Sequence, residues 1–292
     1  MSRPRMTQSS VAVKSRAVVT MVLLSFMLSA CGALEFLYNR VDWLATRYVD
    51  GLTELSGSQY EALNARFTKT LAWHRQNELP LYVEILKDIE AAILDNADSA
   101  RVDLIMSAID KRWKVLFHRL SADVAPTLVN LSPEQLIYLG RGLEERAQER
   151  QEKFVAADLD ERRLDRQERM LERTEDWAGE LEYEQRVRLR EAADRMPSDA
   201  DKWAEYQSAH ESKLLSMLQT GATQADVQTF LAAWLSGESR PEALRNSALQ
   251  WRNRLADYLV EVNAILSSEQ RDSVLNRVRS YIAQARSAHA TT

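Results

Sequence analysis

Residues that interrupt helices are scarce in this chain, and this scarcity constrains its fold more than any other feature. Only 8 Gly and 6 Pro occur in 292 residues. Apolar residues return at steps of three and four in two long segments: Val102, Ile105, Ile109, Trp113, Leu116, Leu120 and Val124, then Leu244, Ala248, Trp251, Leu255, Tyr258, Val262 and Leu266. Such spacing lines one face of a helix. The sequence therefore predicts an all-α fold, an elongated multi-helix bundle.

Six hydroxyl residues mark predicted helix starts, because each has an acidic residue or a glutamine three positions later. These are Ser56, Ser132, Ser198, Thr223, Ser239 and Ser267, with Gln59, Gln135, Asp201, Asp226, Glu242 and Gln270. In this arrangement the hydroxyl accepts from a free backbone N–H, and a Gln or Glu can return a bond to the cap. We expect eight to ten helices. Five tryptophans are predicted to fill their core: Trp113, Trp177, Trp203, Trp234 and Trp251.

Residues 141–176 are dominated by charged side chains of alternating sign. Such a segment is typical of an exposed helix that ion pairs at i,i+4 support. We interpret it as the end of one long charged helix that begins at Ser132. The alternative is two shorter helices with a break near residues 156–159.

Residues 1–30 have the organisation of a secretion signal. Four basic residues and no acidic residue lie in the first sixteen positions, and residues 17–28 form an apolar run interrupted only by Thr20 and Ser25. This run is shorter than the roughly 20 residues that a membrane-spanning helix needs, but it matches a signal peptide. The sequence Leu28-Ser29-Ala30-Cys31 follows and resembles the lipobox of bacterial lipoprotein precursors. The resemblance implies cleavage between Ala30 and Cys31 and a lipid on the Cys31 sulfur.

The mature chain predicted from this signal is attached to a membrane. Residues 31–33 would be the lipidated N-terminus and a minimal tether, and residues 34–292 a single helical domain. Cys31 is the only cysteine, so lipidation leaves no thiol for catalysis, a metal or a disulfide. No cofactor is expected beyond the covalent diacylglycerol and N-acyl chain at Cys31. By similarity to other lipoproteins, Gly32 favours the outer membrane, with the protein facing the periplasm.

An apolar stripe follows the lipobox almost at once. Its members recur at helical spacing: Leu34, Leu37, Val41, Leu44 and Tyr48. Two interpretations stay open. The helix could lie on the lipid headgroups, with Phe36 and Trp43 as anchors, or the stripe could pack into the core of the protein itself, which we favour.

Charge and motifs exclude several classes of function. The net charge of −5 becomes about −9 once the four basic residues of the signal are removed, and an acidic body without a basic stripe argues against nucleic-acid binding. The four histidines, His74, His118, His210 and His289, are far apart in sequence, so no metal site is expected. The chain has no glycine-rich phosphate loop and no GxSxG motif. We therefore expect a protein that is not an enzyme.

The segment from Trp73 to Tyr82 combines aromatic, basic and acidic residues at a predicted turn between two helices. Trp, Tyr and Arg dominate interaction hot spots, so Trp73, His74, Arg75, Glu78 and Tyr82 are candidate partner-docking residues. The alternative, which we favour, is structural: Trp73 in the core, Asn77 as a cap and Pro80 at the start of the next helix.

Three helix starts share a five-residue motif: Leu55-Ser56-Gly57-Ser58-Gln59, Leu131-Ser132-Pro133-Glu134-Gln135 and Leu266-Ser267-Ser268-Glu269-Gln270. Leu181-Glu182-Tyr183-Glu184-Gln185 is a fourth copy without the hydroxyl. The motif resembles the LTxxQ motif of the Spy and CpxP family of periplasmic helical chaperones. Ordinary helix capping is the interpretation that we favour, and the uneven spacing of the copies excludes a solenoid.

The mature chain also resembles a family of uncharacterised proteobacterial lipoproteins that is defined only as a domain of unknown function. The resemblance rests on Tyr38-Asn39-Arg40-Val41-Asp42-Trp43-Leu44, on Trp73-His74-Arg75 and on Glu78-Leu79-Pro80. The resemblance implies a location in the cell envelope and indicates no activity. We therefore predict a lipoprotein that acts by binding another envelope protein, as an assembly or scaffold protein, with a Spy-like holdase chaperone as the alternative.

Overall fold

The computed structural model describes residue 38, residues 40–152 and residues 158–290. Within these ranges every regular element is a helix, which confirms the all-α prediction. There are eleven in the described ranges: α1 (Val41–Thr53), α2 (Gly57–Asn77), α3 (Leu79–Leu94), α4 (Ser99–Leu128), α5 (Pro133–Arg150), α6 (Leu159–Ala178), α7 (Tyr183–Asp194), α8 (Ala200–Gln219), α9 (Gln224–Ser236), α10 (Glu242–Ile265) and α11 (Ser268–Ala290).

The thirty-residue α4 organises the bundle, since it packs against α2, α3, α9 and α10. Three groups of buried side chains hold the helices together. The first joins α4, α5, α8 and α9 through Ala125, Leu128, Leu139, Leu214, Leu218, Val227 and Leu231. The second includes Leu171 and Leu189, both 0% exposed, and Tyr258, and joins α6, α7 and α10. The third joins α3 to α11 through Val83, Val278 and Ile282.

Four of the six predicted caps are observed. Ser56, Ser132 and Thr223 each accept a hydrogen bond from the backbone of the residue three positions later, and Ser267 does the same toward Gln270 at 3.2 Å. The predictions for Ser198 and Ser239 are wrong, because α8 follows Asp199 and α10 follows Pro241. The Ser239 hydroxyl instead bonds the Tyr206 hydroxyl at 2.8 Å.

The glutamines of the repeated motif have a second role, which capping does not account for. Gln59 and Gln135 face each other, and each amide Nε2 donates to the Oε1 of the other, at 3.2 and 2.8 Å. Each Nε2 also donates to the carbonyl two residues before the partner's cap: Gln59 to Asn130 at 2.9 Å, and Gln135 to Glu54 at 2.8 Å. The two helix starts are therefore joined by a reciprocal amide pair.

The other two copies of the motif repeat this arrangement. Gln185 and Gln270 exchange amide hydrogen bonds of 2.8 and 3.0 Å. Gln185 also donates to the Ile265 carbonyl, and Gln270 to the Glu180 carbonyl, both at 2.8 Å. The copy without a hydroxyl also has the bond from the glutamine to the cap backbone, because Gln185 Oε1 accepts from the backbone N–H of Glu182 at 2.9 Å. The preferred interpretation, ordinary helix capping, therefore describes only half of what the motif does.

The charged region is interrupted, so the prediction of one long helix from Ser132 is wrong. The helix α5 ends at Arg150, and α6 begins at Leu159. Asp158 caps α6, since it precedes the helix with a ψ of 144° that is not helical, and its carboxylate accepts from the Asp160 N–H at 2.8 Å. A short polar side chain that bonds a nearby N–H favours a new helix start. The alternative with a break near residues 156–159 agrees with this boundary.

The apolar stripe after the lipobox does not pack inward in its described part, so the interpretation we favoured is wrong there. Val41, Leu44 and Tyr48 are 43%, 42% and 61% exposed, while Thr46 and Thr53 are buried. Threonine can face the bundle because its hydroxyl is satisfied within α1: Thr46 donates to the Asp42 carbonyl and Thr53 to the Val49 carbonyl, both at 2.8 Å. The helix α1 thus presents apolar side chains to its surroundings.

Candidate functional site

A large open groove lies between α4, α6 and α10, with further lining from the start of α8 and the end of α9. Its volume is about 1110 Å³. Seven basic and four acidic residues line it, whereas the whole chain carries a net charge of −5. The lining of the groove is therefore more basic than the chain as a whole.

Three of these basic residues, Arg162, Arg166 and Arg169, lie on a single face of α6. Together with Arg173, which lies on the same face but does not line the groove, we call them the arginine row. Steps of four, three and four place these side chains on one side of a helix. The Nε of Arg166 is buried without a hydrogen-bond partner. Burial lowers the pKa of the Arg166 guanidinium; the Asp194 charge opposes this shift, and the charges of Arg169 and Arg163 add to it. The expectation that no basic stripe exists is wrong, because acidic residues between the arginines hide the row in the sequence.

Polar bonds between helices hold the walls of the groove. Arg252 on α10 forms an ion pair with Asp103 on α4 at 2.7 Å. Asp199, just before α8, accepts from Lys202 and from Ser247 on α10, both at 2.5 Å, and these bonds lower the pKa of its carboxyl group. Arg162 joins α6 to α8 through Asp201 at 2.9 Å. Ion pairs and hydrogen bonds between charged and polar side chains thus connect the helices that form the groove.

Three tryptophans line the groove. Trp113 and Trp251 are 52% and 44% exposed, so the prediction that they fill the core is wrong; Trp177, outside the groove, is also exposed. Trp203 is half-buried, and the guanidinium of Arg240 lies 5.0 Å from its ring centre. Gly237 permits this stacking, because it has a φ of +80° and a Cβ there would collide with the Arg240 guanidinium.

An apolar cavity of about 410 Å³ adjoins the groove. It lies among α3, α4, α6, α10 and α11, and its lining is almost entirely apolar. Four residues line both spaces, and they mark where the two meet: Met106, Ile109, Leu255 and Leu259. Sequence reasoning missed the cavity, because the apolar periodicity of α4 and α10 does not show which apolar side chains leave space between them.

The predicted docking corner does assemble, at the junction of α2 and α3. The His74 Nε2 lies 3.3 Å from the Tyr82 hydroxyl, the Arg119 guanidinium lies 4.5 Å from the centre of the Trp73 ring, and the carbonyl of Arg75 lies 2.9 Å from His289 Nδ1. Pro80 lies in the first turn of α3, which confirms the prediction that it stands at the start of this helix. The docking role of these residues stays a prediction.

Glu78 is the most enclosed residue of this corner, at 2% exposed. Its Oε1 lies 3.5 Å from Arg112, and its Oε2 is buried without a hydrogen-bond partner. Burial raises the pKa of the Glu78 carboxyl, and the Arg112 charge opposes this. The pKa of His74 is lowered by burial. The corner is therefore a half-buried polar cluster in which the neutral form of His74 is favoured.

This cluster predicts a pH dependence of stability. Because burial lowers the folded-state pKa of His74, its contribution to stability is present above its unfolded pKa and is lost as the pH falls through the folded value. We expect His74→Gln to show a smaller fall in Tm than the unsubstituted chain between pH 8 and pH 5.5, measured by circular dichroism. Tyr82→Phe, which keeps the histidine, should retain the full fall. An unchanged slope in His74→Gln would contradict this assignment.

Several other predicted features concern metals and the membrane. In the part of the chain that the structure describes, no group of three His, Cys, Asp or Glu side chains is placed to hold a metal ion. No helix of that part combines the length and apolar character needed to cross a bilayer. The predicted cleavage and lipidation residues, Ala30 and Cys31, lie outside the described residues.

The model of a family of unknown function, DUF6279, matches residues 48–236. No curated protein and no solved structure matches the chain. The matched residues include the described parts of α2 to α9 and therefore two walls of the groove, while α10 lies beyond them.

Proposed function

The chain belongs to the DUF6279 family, whose function is unknown, and we propose that it is a lipid-anchored protein of the bacterial envelope that acts by binding. Its partner would be an acidic segment of another envelope protein, and its role assembly or scaffolding rather than catalysis. The observation that carries this proposal is the groove between α4, α6 and α10.

The anchoring part of the proposal is supported by the order of basic residues, short apolar run and lipobox that ends at Cys31. The exposed apolar side chains of α1 add to it, because only ten positions separate Cys31 from Val41. A segment of that length reaches at most about 35 Å. Val41, Leu44 and Tyr48 would then lie near the headgroups of the membrane, which we propose is the outer membrane.

The binding part is supported by the lining of the groove. Exposed Trp113 and Trp251 are the kind of side chain that contributes most to interfaces. The excess of basic over acidic residues favours an acidic partner. Leu249, which is 51% exposed and lines the groove with Trp251, adds further apolar surface. A segment that carries both carboxylates and apolar side chains would match this surface.

Photo-crosslinking in cells tests the binding proposal. A photoreactive amino acid at Trp251 is expected to give one discrete adduct with an envelope protein. The same amino acid at Ile137, which is 60% exposed on α5 outside the groove, is the matched control and should give none. Arg245→Glu should lower the Trp251 adduct about fivefold, the effect of losing roughly 1 kcal/mol from an exposed charge pair. Equal adducts from both positions would contradict the groove as the binding site.

The holdase alternative is favoured by one observation: Trp113, Leu249 and Leu259 expose apolar surface in a groove with charged residues around it. Such a surface can shield unfolded clients. A holdase would give many adducts of different sizes from Trp251 and would suppress client aggregation at stoichiometric amounts. No suppression, together with a single adduct, would exclude it in favour of a scaffold.

A further inference from the structure

We propose that the cavity beside the groove binds the hydrocarbon chain of a single-chain anionic amphiphile, and that the arginine row of α6 holds its acidic headgroup. The ligand class comprises fatty acids and lysophospholipids with an acidic head, which share one acyl chain and one anionic group. The inference goes beyond the proposed function, since it requires neither a protein partner nor the lipid anchor.

The cavity lies between two of the buried groups that form the core. Val278 of the α3–α11 group lines one side, and Tyr258 and Ala178 of the α6–α7–α10 group line another. Protein interiors are close-packed, and apolar side chains around an unfilled space lose their contacts. A volume of about 410 Å³ falls within the range of small-molecule sites, roughly 300 to 1000 Å³. An apolar ligand would restore these contacts.

Apart from Arg173, the hydroxyl and amide groups in the lining are satisfied by bonds within the protein and do not require a polar ligand. The Tyr258 hydroxyl lies 2.9 Å from the Thr174 hydroxyl and 3.1 Å from the Met170 carbonyl. Asn263 donates to the Ile93 carbonyl at 3.2 Å. A peptide in this space would bring backbone N–H and C=O groups into an apolar environment without partners, which is unfavourable. A hydrocarbon chain carries no such groups.

The headgroup position follows from the course of α6. Arg166 and Arg169 line the groove, whereas Met170, Arg173 and Thr174 line the cavity. The same helix thus passes from a cationic to an apolar environment within two turns. Among the described residues, no ion pair within 4 Å involves Arg166 or Arg173, and Arg169 has a long one, 3.8 Å, to Asp165. Guanidinium groups bind carboxylate and phosphate in bidentate geometry. Arg166 and Arg173 are therefore available to an anion at this junction, although the Asp194 charge also acts on Arg166.

A photoreactive fatty acid with a diazirine near the end of its chain tests the proposal. Membranes from cells that produce the full chain would be labelled, and the adducts mapped by tandem mass spectrometry. We expect adducts on residues that line the cavity, such as Ile105 and Val262. In competition with unlabelled fatty acids, each methylene removed should weaken binding about fourfold. Adducts spread over exposed surface, without enrichment at the cavity, would overturn the proposal.

A cavity-filling variant sharpens this test. Val262→Trp should lower labelling at least tenfold, while Leu104→Trp, at a 63% exposed position outside both spaces, should label normally. Thermal unfolding establishes that each variant is folded. If Val262→Trp does not fold, Arg166→Gln with Arg169→Gln replaces it, because these side chains are not part of the core. Full labelling of a folded variant of either kind would overturn the proposal.

Three probes of equal chain length test which headgroup the site prefers. A carboxylate probe and a phosphate-headed lysolipid probe should both label the cavity, and their ratio distinguishes the two natural sources. A long-chain alcohol probe should label at least fivefold less, and the double arginine variant should remove that difference. Equal labelling by all three would contradict the role of the arginine row. The Trp251 crosslink should persist in Val262→Trp, so that failure of this inference is separable from failure of the proposed function.

Discussion

A chain in which Cys31 is replaced by serine is expected to incorporate no acyl group at all and to retain residues 1–30. Lipidation requires the thiolate as the nucleophile, and a serine hydroxyl is far less acidic and does not replace it. Cys31 is the only cysteine, so no other residue can take over. Metabolic labelling with an alkyne analogue of palmitate should give no signal for Cys31→Ser, and gel mobility should correspond to a chain thirty residues longer.

Ser29→Ala is the matched control for this prediction, because it keeps a small residue in the lipobox. It should be labelled and shortened like the unsubstituted chain. If Cys31→Ser were labelled, or if the unsubstituted chain were not, the membrane anchor proposed here would not exist.

The second large effect concerns the amide pair of Gln185 and Gln270. Gln185→Met is expected to lower the free energy of unfolding by about 3 kcal/mol, roughly 1 kcal/mol for each partner left without its bond. These partners are the Ile265 carbonyl, the Glu182 N–H and the Gln270 amide. Methionine has nearly the same length as glutamine but cannot make these bonds, and Gln185 is 9% exposed. Urea denaturation followed by circular dichroism measures the change.

Gln250→Met is the control, because Gln250 is exposed on α10, and it should change the free energy of unfolding by less than about 0.5 kcal/mol. Gln185→Met and Gln270→Met together should cost less than the sum of the two single changes, since both remove the same bonds. Additive costs would show that the two glutamines act separately and would contradict the reciprocal pair.

Local sequence signals predicted most helix starts, because capping and periodicity act over a few residues. The expected number of helices, eight to ten, was too low, since the described residues form eleven. Ser56, Ser132 and Thr223 mark helix starts by bonding a backbone N–H three positions away. The same signals failed at Ser239, whose hydroxyl is bonded elsewhere. Ser239 lies beside aromatic residues of α8 and bonds Tyr206 instead of capping α10.

The groove and the amide pairs could not be predicted, because they depend on residues far apart in the chain. Gln59 meets Gln135, and Gln185 meets Gln270, only once the helices between them have packed. Trp113 and Trp251 satisfy the helical period of a core face, yet both are exposed, because the bundle leaves a groove at that position. The arginine row could have been found from its steps of four, three and four had each face of α6 been considered separately.

Intact mass spectrometry of the protein purified from cell envelopes tests the central claim most directly, that a helical binding protein is held at a membrane through Cys31. We expect a chain that begins at Cys31 and carries a diacylglycerol thioether and an N-acyl group. A full chain of 292 residues, or one that begins at Cys31 without acyl groups, would contradict it.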